Sequence, residues 1–379
     1  MTDANSHHHT ETISSVPSQW GSQVTLVGCK QCDWSYLLPA GAEEQRCPHC
    51  YADALIPLTT DSEGLPHAET SEAYLPFQLS DEQVEQAVER FAKRVPLAPP
   101  DLKPTNLRQR LQAVYLPRWL VDADVQATWQ AEAGFDYEVV SHEERFDGNH
   151  KRWRTREITE TRIRWDPRAG RLDRRYHNVV APALDEDADI RRQLGSFDIK
   201  KARSFQSQVL DQALVRLPNR SIDDAWPDAL PNFYRTASVE CQQASGAEHL
   251  REFQWWPQFS GRDWTQLLLP VYSTSYLDDD AIPRPVLIHG QTGRVSGVRR
   301  ASQKRARRLA IILVTLAFVF LVLGTGLAAI ATWADGGTFQ TLSVLGLVAG
   351  MLFGVGAIIP PAIAWSFNRS QRQQDQVFD

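Results

Sequence analysis

Charge is missing from two stretches near the C-terminus. None falls between Arg308 and Asp335, and none between Asp335 and Arg369. Each gap exceeds the roughly 20 apolar residues that a helix needs to cross a bilayer. Also missing are the short signatures of common catalytic sites. There is no Gly-x-x-x-x-Gly-Lys-Ser/Thr loop to cradle phosphates, no His-Glu-x-x-His, no Gly-x-Ser-x-Gly and no Gly-x-Gly-x-x-Gly. A basic excess, the usual footprint of nucleic-acid binding, is absent too: the formal net charge is −6. The N-terminal residues lack the apolar core of a secretory signal. Cysteine is scarce, with five in 379 residues, four of them in two close pairs. That usage argues against a disulfide framework and for metal binding in a reducing compartment.

The charge gaps predict a transmembrane helical hairpin, with spans at 309–333 and 341–367. A short external loop at 334–340 joins them, and a tail at 368–379 follows. Arg299, Arg300, Lys304, Arg305, Arg307 and Arg308 form a basic juxtamembrane segment at 299–308. Basic residues so close to a span are held in the cytoplasm. The loop carries only Asp335, and Arg369 and Arg372 follow the second span. The expectation is a two-span protein of the cell inner membrane with both termini cytoplasmic. Gly346, Gly350 and Gly354 share one face of the second span, where backbones can approach closely. That face fits either the first span of the same chain or a second copy in a homo-oligomer. Pro360 and Pro361 are expected to bend or end the last turns. Trp333 and Trp365 lie near span ends, at headgroup level. Neither span holds an ionisable group, which argues against an ion path.

The strongest local motif is Cys29-Lys-Gln-Cys32, 14 residues, then Cys47-Pro-His-Cys50. Two such knuckles present four thiolates for a tetrahedral structural zinc ion, Zn2+, in a ribbon spanning 23–56. A ribbon this small draws its folding energy from the metal. A rubredoxin-like iron site is the rival. Asp33 and Tyr51 stand where those knuckles usually have glycine, and this weakens the iron reading more than the zinc one. His49, between ligands, reads as solvent-facing. Four thiolates leave no open position for catalysis.

Residues 1–22, which include a short His run, read as a disordered tail. Residues 57–76 read as a linker, and 77–298 as a soluble α+β domain rich in antiparallel strands. Ser80-Asp-Glu-Gln83 is a capping box, opening an amphipathic helix to about Arg94. A second short helix is expected over 106–112. Alternation from Trp119 to Trp129 predicts a half-buried strand, with Asp122 and Asp124 facing solvent or nearby arginines. Residues 151–175 hold ten basic residues against four acids. Arg152, Arg154, Arg156, Arg162 and Arg164 share one strand face, and Trp153 and Trp165 the other. Asp166-Pro-Arg-Ala-Gly170 reads as the turn of a hairpin. That basic face fits acids at 185–189 or 278–280, anionic lipid, a partner protein, or a phosphate backbone. A short helix over 185–194 follows, and 204–217 reads as helix or strand. A helix over 221–244 is expected to be interrupted at Trp226-Pro227 and Leu230-Pro231. Cys241 reads as a small buried residue. Strands at 252–259 and 264–276 precede a hairpin turning at Gly290-Gln-Thr-Gly293, where His289 reads as structural.

The ribbon, Tyr115-Leu-Pro-Arg-Trp-Leu-Val-Asp-Ala-Asp124, Leu268-Leu-Pro-Val-Tyr272 and Ile288-His-Gly-Gln-Thr-Gly293 together resemble bacterial membrane-anchored zinc-ribbon proteins. These are often labelled primosomal or helicase-like. The resemblance implies zinc at the four cysteines and a membrane-linked role in envelope stress or scaffolding. Where that family commonly has glycine then proline after the hairpin, this chain continues from Gly297 into Val298-Arg299-Arg300. The missing phosphate loop gives the helicase label no support. The resulting expectation is a non-enzymatic, membrane-tethered zinc-ribbon scaffold or adaptor that binds other proteins. The alternative is a membrane-tethered nucleic-acid binder using the ribbon and the arginine hairpin.

Overall fold

The computed structural model describes residues 20, 24–39, 46–51, 55–58, 71–147, 152–210, 213–333 and 337–376. The chain opens with β1 (Val24–Gly28), β2 (Ser35–Pro39), β3 (Ile56–Pro57) and β4 (Ala73–Tyr74). Helices α1 (Asp81–Lys93) and α2 (Pro104–Gln109) follow. Two very long strands come next, β5 (Gln112–Asp147) and β6 (Arg152–Ala181). After α3 (Asp187–Leu194), β7 (Arg203–Ser204) and β8 (Leu214–Arg216), helix α4 (Ile222–Ser245) leads to a third long strand, β9 (His249–Leu277). Strands β10 (Pro283–His289) and β11 (Val295–Gly297) precede α5 (Gln303–Ala331), α6 (Gly337–Gly356) and α7 (Ile359–Gln376).

The strands form one mixed, mainly antiparallel sheet, and the class is α+β. Its main order is β11-β10-β9-β5-β8-β2-β1-β3. β9 lies along one side of β5. The other side is taken first by β8, at Val114 and Tyr115, and from Trp119 onward by β6. The sheet therefore runs unbroken from the strands that flank the cysteines into the body, through Tyr36↔Arg216 and Leu37↔Val215. The stretch expected to be a linker is partly strand: Pro57 pairs with Val27, and Ala73 and Tyr74 pair with β7 and β9. Most of the tail assigned to 1–22 lies outside the described residues. Trp20 is described, and it is buried edge-on against Phe205.

Helix α1 starts as its capping box requires, with Ser80 and Gln83 bonding reciprocally. Helix α2 begins at Pro104, two residues before the expected start, since the first helical turn needs no N–H there. The turn expected at Asp166-Pro-Arg-Ala-Gly170 does not form. β6 continues through it in register with β5, Pro167 opposite Glu132 and Gly170 opposite Trp129. The two strands stay paired as far as Asp147↔Arg152. β6 pairs only with β5 among the described strands, and an edge strand tolerates a missing N–H. Gly170 serves packing: a Cβ there would lie 3.0 Å from the Trp129 indole. The break expected at 260–263 is likewise a register shift within β9, with Gly261 at φ +55.

Helix α4 is continuous through both prolines, contrary to the interruption read from sequence. Ala225, Ala229, Phe233, Ala237 and Cys241 form its buried row, against Val121, Ala123 and Val125 of β5. Pro227 and Pro231 fall on the exposed side. The carbonyls they leave unpaired, of Asp223 and Pro227, belong to exposed residues that water can reach. The helix thus loses two bonds without burying an orphan. Cys241 is buried as expected, and His289 is buried with its ring stacked on Phe197.

Two C-terminal helical stretches, Gln303–Ala331 and Gly337–Gln371, are long and apolar enough to cross a membrane. Only 11% and 17% of their apolar windows are buried, whereas a soluble core helix would be mostly buried. The connection is shorter than read from sequence, because α6 begins at Gly337. Gly346 and Gly350 pack on α5 of the same chain. A Cβ on Gly346 would lie 3.1 Å from Gly324 Cα, and one on Gly350 would lie 2.7 Å from Leu321 Cγ. The helix breaks at Ala357–Ile358, and Pro360 and Pro361 sit in the first turn of α7. The hairpin is clasped at its base: Ala301 N–H donates to Asn368 Oδ1 at 2.8 Å, and Asn368 Nδ2 donates to Ala301 O at 3.0 Å.

The Pro231→Ala variant restores a donor opposite the Pro227 carbonyl. It is expected to raise unfolding stability by up to about 3 kcal/mol, read as a higher midpoint in thermal melts of the detergent-solubilised chain. Phe233→Ala, on the buried face, is expected to lower it by about 3–5 kcal/mol.

Candidate metal centre

Each cysteine pair is a tight backbone knuckle. In the first, Asp33 N–H donates to Cys29 O at 3.0 Å; in the second, Tyr51 N–H donates to Cys47 O at 3.0 Å. The residue after each second cysteine has left-handed backbone, φ +56 at Asp33 and φ +58 at Tyr51. These are the positions where glycine is usual. At Tyr51 the conformation is held from outside. Its hydroxyl hydrogen-bonds Ser273 Oγ on β9, and Ser273 Oγ donates to Pro48 O at 2.5 Å.

The knuckles bring the four sulfurs together. Cys29 Sγ lies 3.4 Å from Cys50 Sγ, and Cys32 Sγ lies 3.6 Å from Cys47 Sγ. All four lie within 4.8 Å of one another. A disulfide needs sulfurs at about 2.05 Å. A tetrahedral metal with bonds of about 2.3 Å places its sulfurs about 3.8 Å apart, which matches this set. The cluster can hold one metal ion with all four positions filled. Cys29 and Cys47 are buried, and Cys32 and Cys50 half-buried.

Around the sulfurs is a shell that sequence reading does not find. The Tyr36 hydroxyl lies 3.9 Å from Cys47 Sγ. His49 is on the surface as expected, but its ring stacks on Trp34 at 3.6 Å. Trp34 Nε1 donates to Glu186 Oε1 at 3.2 Å. Arg216 of β8 is 2% exposed, and its guanidinium lies over Trp34 at 4.5 Å and Tyr36 at 5.9 Å. It donates to Ser35 O at 3.2 Å, while its Nε has no partner. No carboxylate ion-pairs with it among the described residues. The buried Arg118 nearby differs, since it holds Asp187 at 2.7 Å. Burial depresses the Arg216 pKa, against the opposing pull of Tyr36, Glu186, Cys32 and Cys47. Burial also pushes the Cys32 thiol and the Tyr36 hydroxyl well up. A buried cation needs an anion. A divalent ion with four thiolates carries two net negative charges, and it is the anion this shell fits.

The other charged groups singled out in the sequence lie elsewhere. Asp122 binds His177 at 2.7 Å, and Asp124 binds Arg175 at 2.8 Å, both as structural partners. The acids once matched to the arginine face are occupied: Asp187 with Arg118, Asp278 with Arg284, Asp185 with Arg220. Arg162 and Arg164 instead pair with Glu160 and Asp166 on their own strand. At the hairpin base, Arg299 lies over Phe91, Lys304 pairs with Asp280, and Arg305 donates to Ala98 O. Arg307 and Arg308 are exposed.

Cys47→Ser is expected to abolish stoichiometric metal binding in elemental analysis of the purified chain. Affinity in wild type should rise with pH, because the raised Cys32 thiol must lose its proton to bind. Arg216→Met should weaken metal binding by about 10–100-fold in competition with a chelator. The same variant should stabilise the metal-free chain, because it removes an uncompensated buried charge. Comparison with protein-family models, curated proteins and solved structures finds no match to this chain.

Proposed function

We propose that this chain is a non-enzymatic scaffold or adaptor tethered to a bacterial inner membrane, with a zinc ribbon as its docking module. One juxtaposition carries the reading: a closed four-sulfur cluster shares a chain with two exposed apolar helices. The four sulfurs of Cys29, Cys32, Cys47 and Cys50 fill a tetrahedral zinc site, so the ion acts as a structural clamp. Apolar side chains such as Ile311, Phe318 and Leu352 are exposed along α5 and α6, and a bilayer is the solvent that suits them. The clasp between Ala301 and Asn368 puts the entry and exit of the hairpin at one end. Basic residues gather at that end, and Asp335 is the one charge in the sequence between Arg308 and Arg369, which supports a topology with the body and both termini in the cytoplasm.

Purification of the full chain in mild detergent, with metal analysis and protein identification on the same sample, tests this. One zinc per chain and a defined set of partner proteins are expected, and the partners should be lost in the Cys47→Ser, Cys50→Ser variant. Protease added to intact spheroplasts should leave the body uncut. Cleavage of the body, or a sample without metal, rejects the reading.

A further inference from the structure

β9 accompanies β5 only as far as the His249↔Gly134 pair. Beyond it, residues 135–147 of β5 pair with 152–164 of β6 and with no other described strand. A two-stranded ribbon is marginal in water by itself and needs cover. This one exposes Val140, Phe146 and Trp153, at 57%, 50% and 66%, on one face and Tyr137, at 47%, on the other.

The register also sorts the charges, because residues directly opposite share a face. Arg156, Arg162 and Arg164 lie on the face of Tyr137, against two acids, Glu143 and Glu160, and the sequence puts arginine at the same-parity positions 145, 152 and 154 and aspartate at 147. Asp136, Glu138, Glu144 and Glu157 lie on the face of Trp153, which carries no lysine or arginine. One ribbon thus has a basic face and an acidic face, each with apolar side chains to bury.

We propose that the ribbon is a self-association surface, the basic face of one copy seated on the acidic face of the next. Its occupant is a second copy of this chain. A phosphate polymer or anionic bilayer seated on the basic face would leave the acidic face and its exposed Val140, Phe146 and Trp153 uncovered. A copy of the same ribbon offers opposite charge to both sides, and sets Tyr137 of one face against Val140, Phe146 and Trp153 of the other. The Arg162–Glu160 and Arg164–Asp166 pairs are solvent-exposed and worth little, so a facing acidic surface can displace them. Two-fold symmetry would set like charge on like. The two faces select a head-to-tail contact, which builds a ring or filament rather than a dimer.

The test uses the full chain in mild detergent, with mass measured by light scattering. Wild type is expected above two copies. Reversing the basic face (Arg156→Glu, Arg162→Glu, Arg164→Glu) should weaken assembly at least tenfold, and so should reversing the acidic face (Glu138→Lys, Glu144→Lys, Glu157→Lys). Mixing the two variants should restore assembly, because a reversed face then meets its complement; restoration also shows that both variants are folded. A single-copy wild type overturns the proposal. So does assembly that survives both reversals, which would place the contact at the apolar helices. Failure of the mixture to reassemble overturns it as well. So does loss of binding to DNA or to anionic vesicles in the first variant with its mass unchanged. None of these outcomes bears on metal content or membrane insertion.

Discussion

A positive charge lies buried beside the cysteine cluster, and among the described residues no carboxylate forms an ion pair with it. Arg216 belongs to β8, and β8 is the strand through which the strands flanking the cysteines join the sheet. An isolated buried cation is among the costliest things a fold can hold. The junction between knuckles and body therefore depends on what the four sulfurs carry. With thiols, Arg216 is uncompensated; with a tetrathiolate metal, it is balanced. Packing reinforces the same joint. Val27, Tyr36, Leu38 and Cys47 share one core with Leu116, Leu184 and Leu267, so the cysteine module has no hydrophobic interior of its own.

That joint lies near one end of the sheet. Ser273, which holds the second knuckle, pairs with Gln112, where β5 begins. Tyr276, three residues on, accepts from Arg300 N–H at 3.0 Å at the base of the apolar hairpin. The charged ribbon begins only after Gly134, at the other end of β5. At about 3.3 Å per residue, some 75 Å of strand contour separates the two. The cysteine cluster and the apolar helices are gathered at one pole, and the two-faced ribbon occupies the other.

Much of this was legible in the sequence wherever the signal was local. Cysteine spacing, the Ser80 capping box, the charge gaps and the Gly290–Gly293 turn each rest on neighbouring residues, and the structure places each of them. Reading failed where tertiary context overrides a local breaker. Pro167 and Gly170 spell a turn, but an edge strand and the Trp129 indole accommodate them. Pro227 and Pro231 spell a helix end, but both fall on the wet side of α4. The shell of Trp34, Glu186 and Arg216 joins residues more than 150 positions apart, and no spacing rule links them. Asp33 and Tyr51 departed from the usual glycine, yet their backbones adopt the left-handed conformation that glycine favours, Tyr51 with the help of Ser273.

The continuity of β5 makes the ribbon's orientation a matter of counting. Successive residues of a strand face opposite ways, so the parity of a position fixes which side it serves. Odd positions such as Val121, Val125 and Ala131 lie under α4, and that parity carries on to Tyr137 on the arginine side of the ribbon. Inserting one residue between them would exchange the ribbon's two sides relative to the body. Inserting two would lengthen the strut by about 7 Å and leave each side where it was. Reach can therefore vary in steps of two residues, while handedness stays locked to the core.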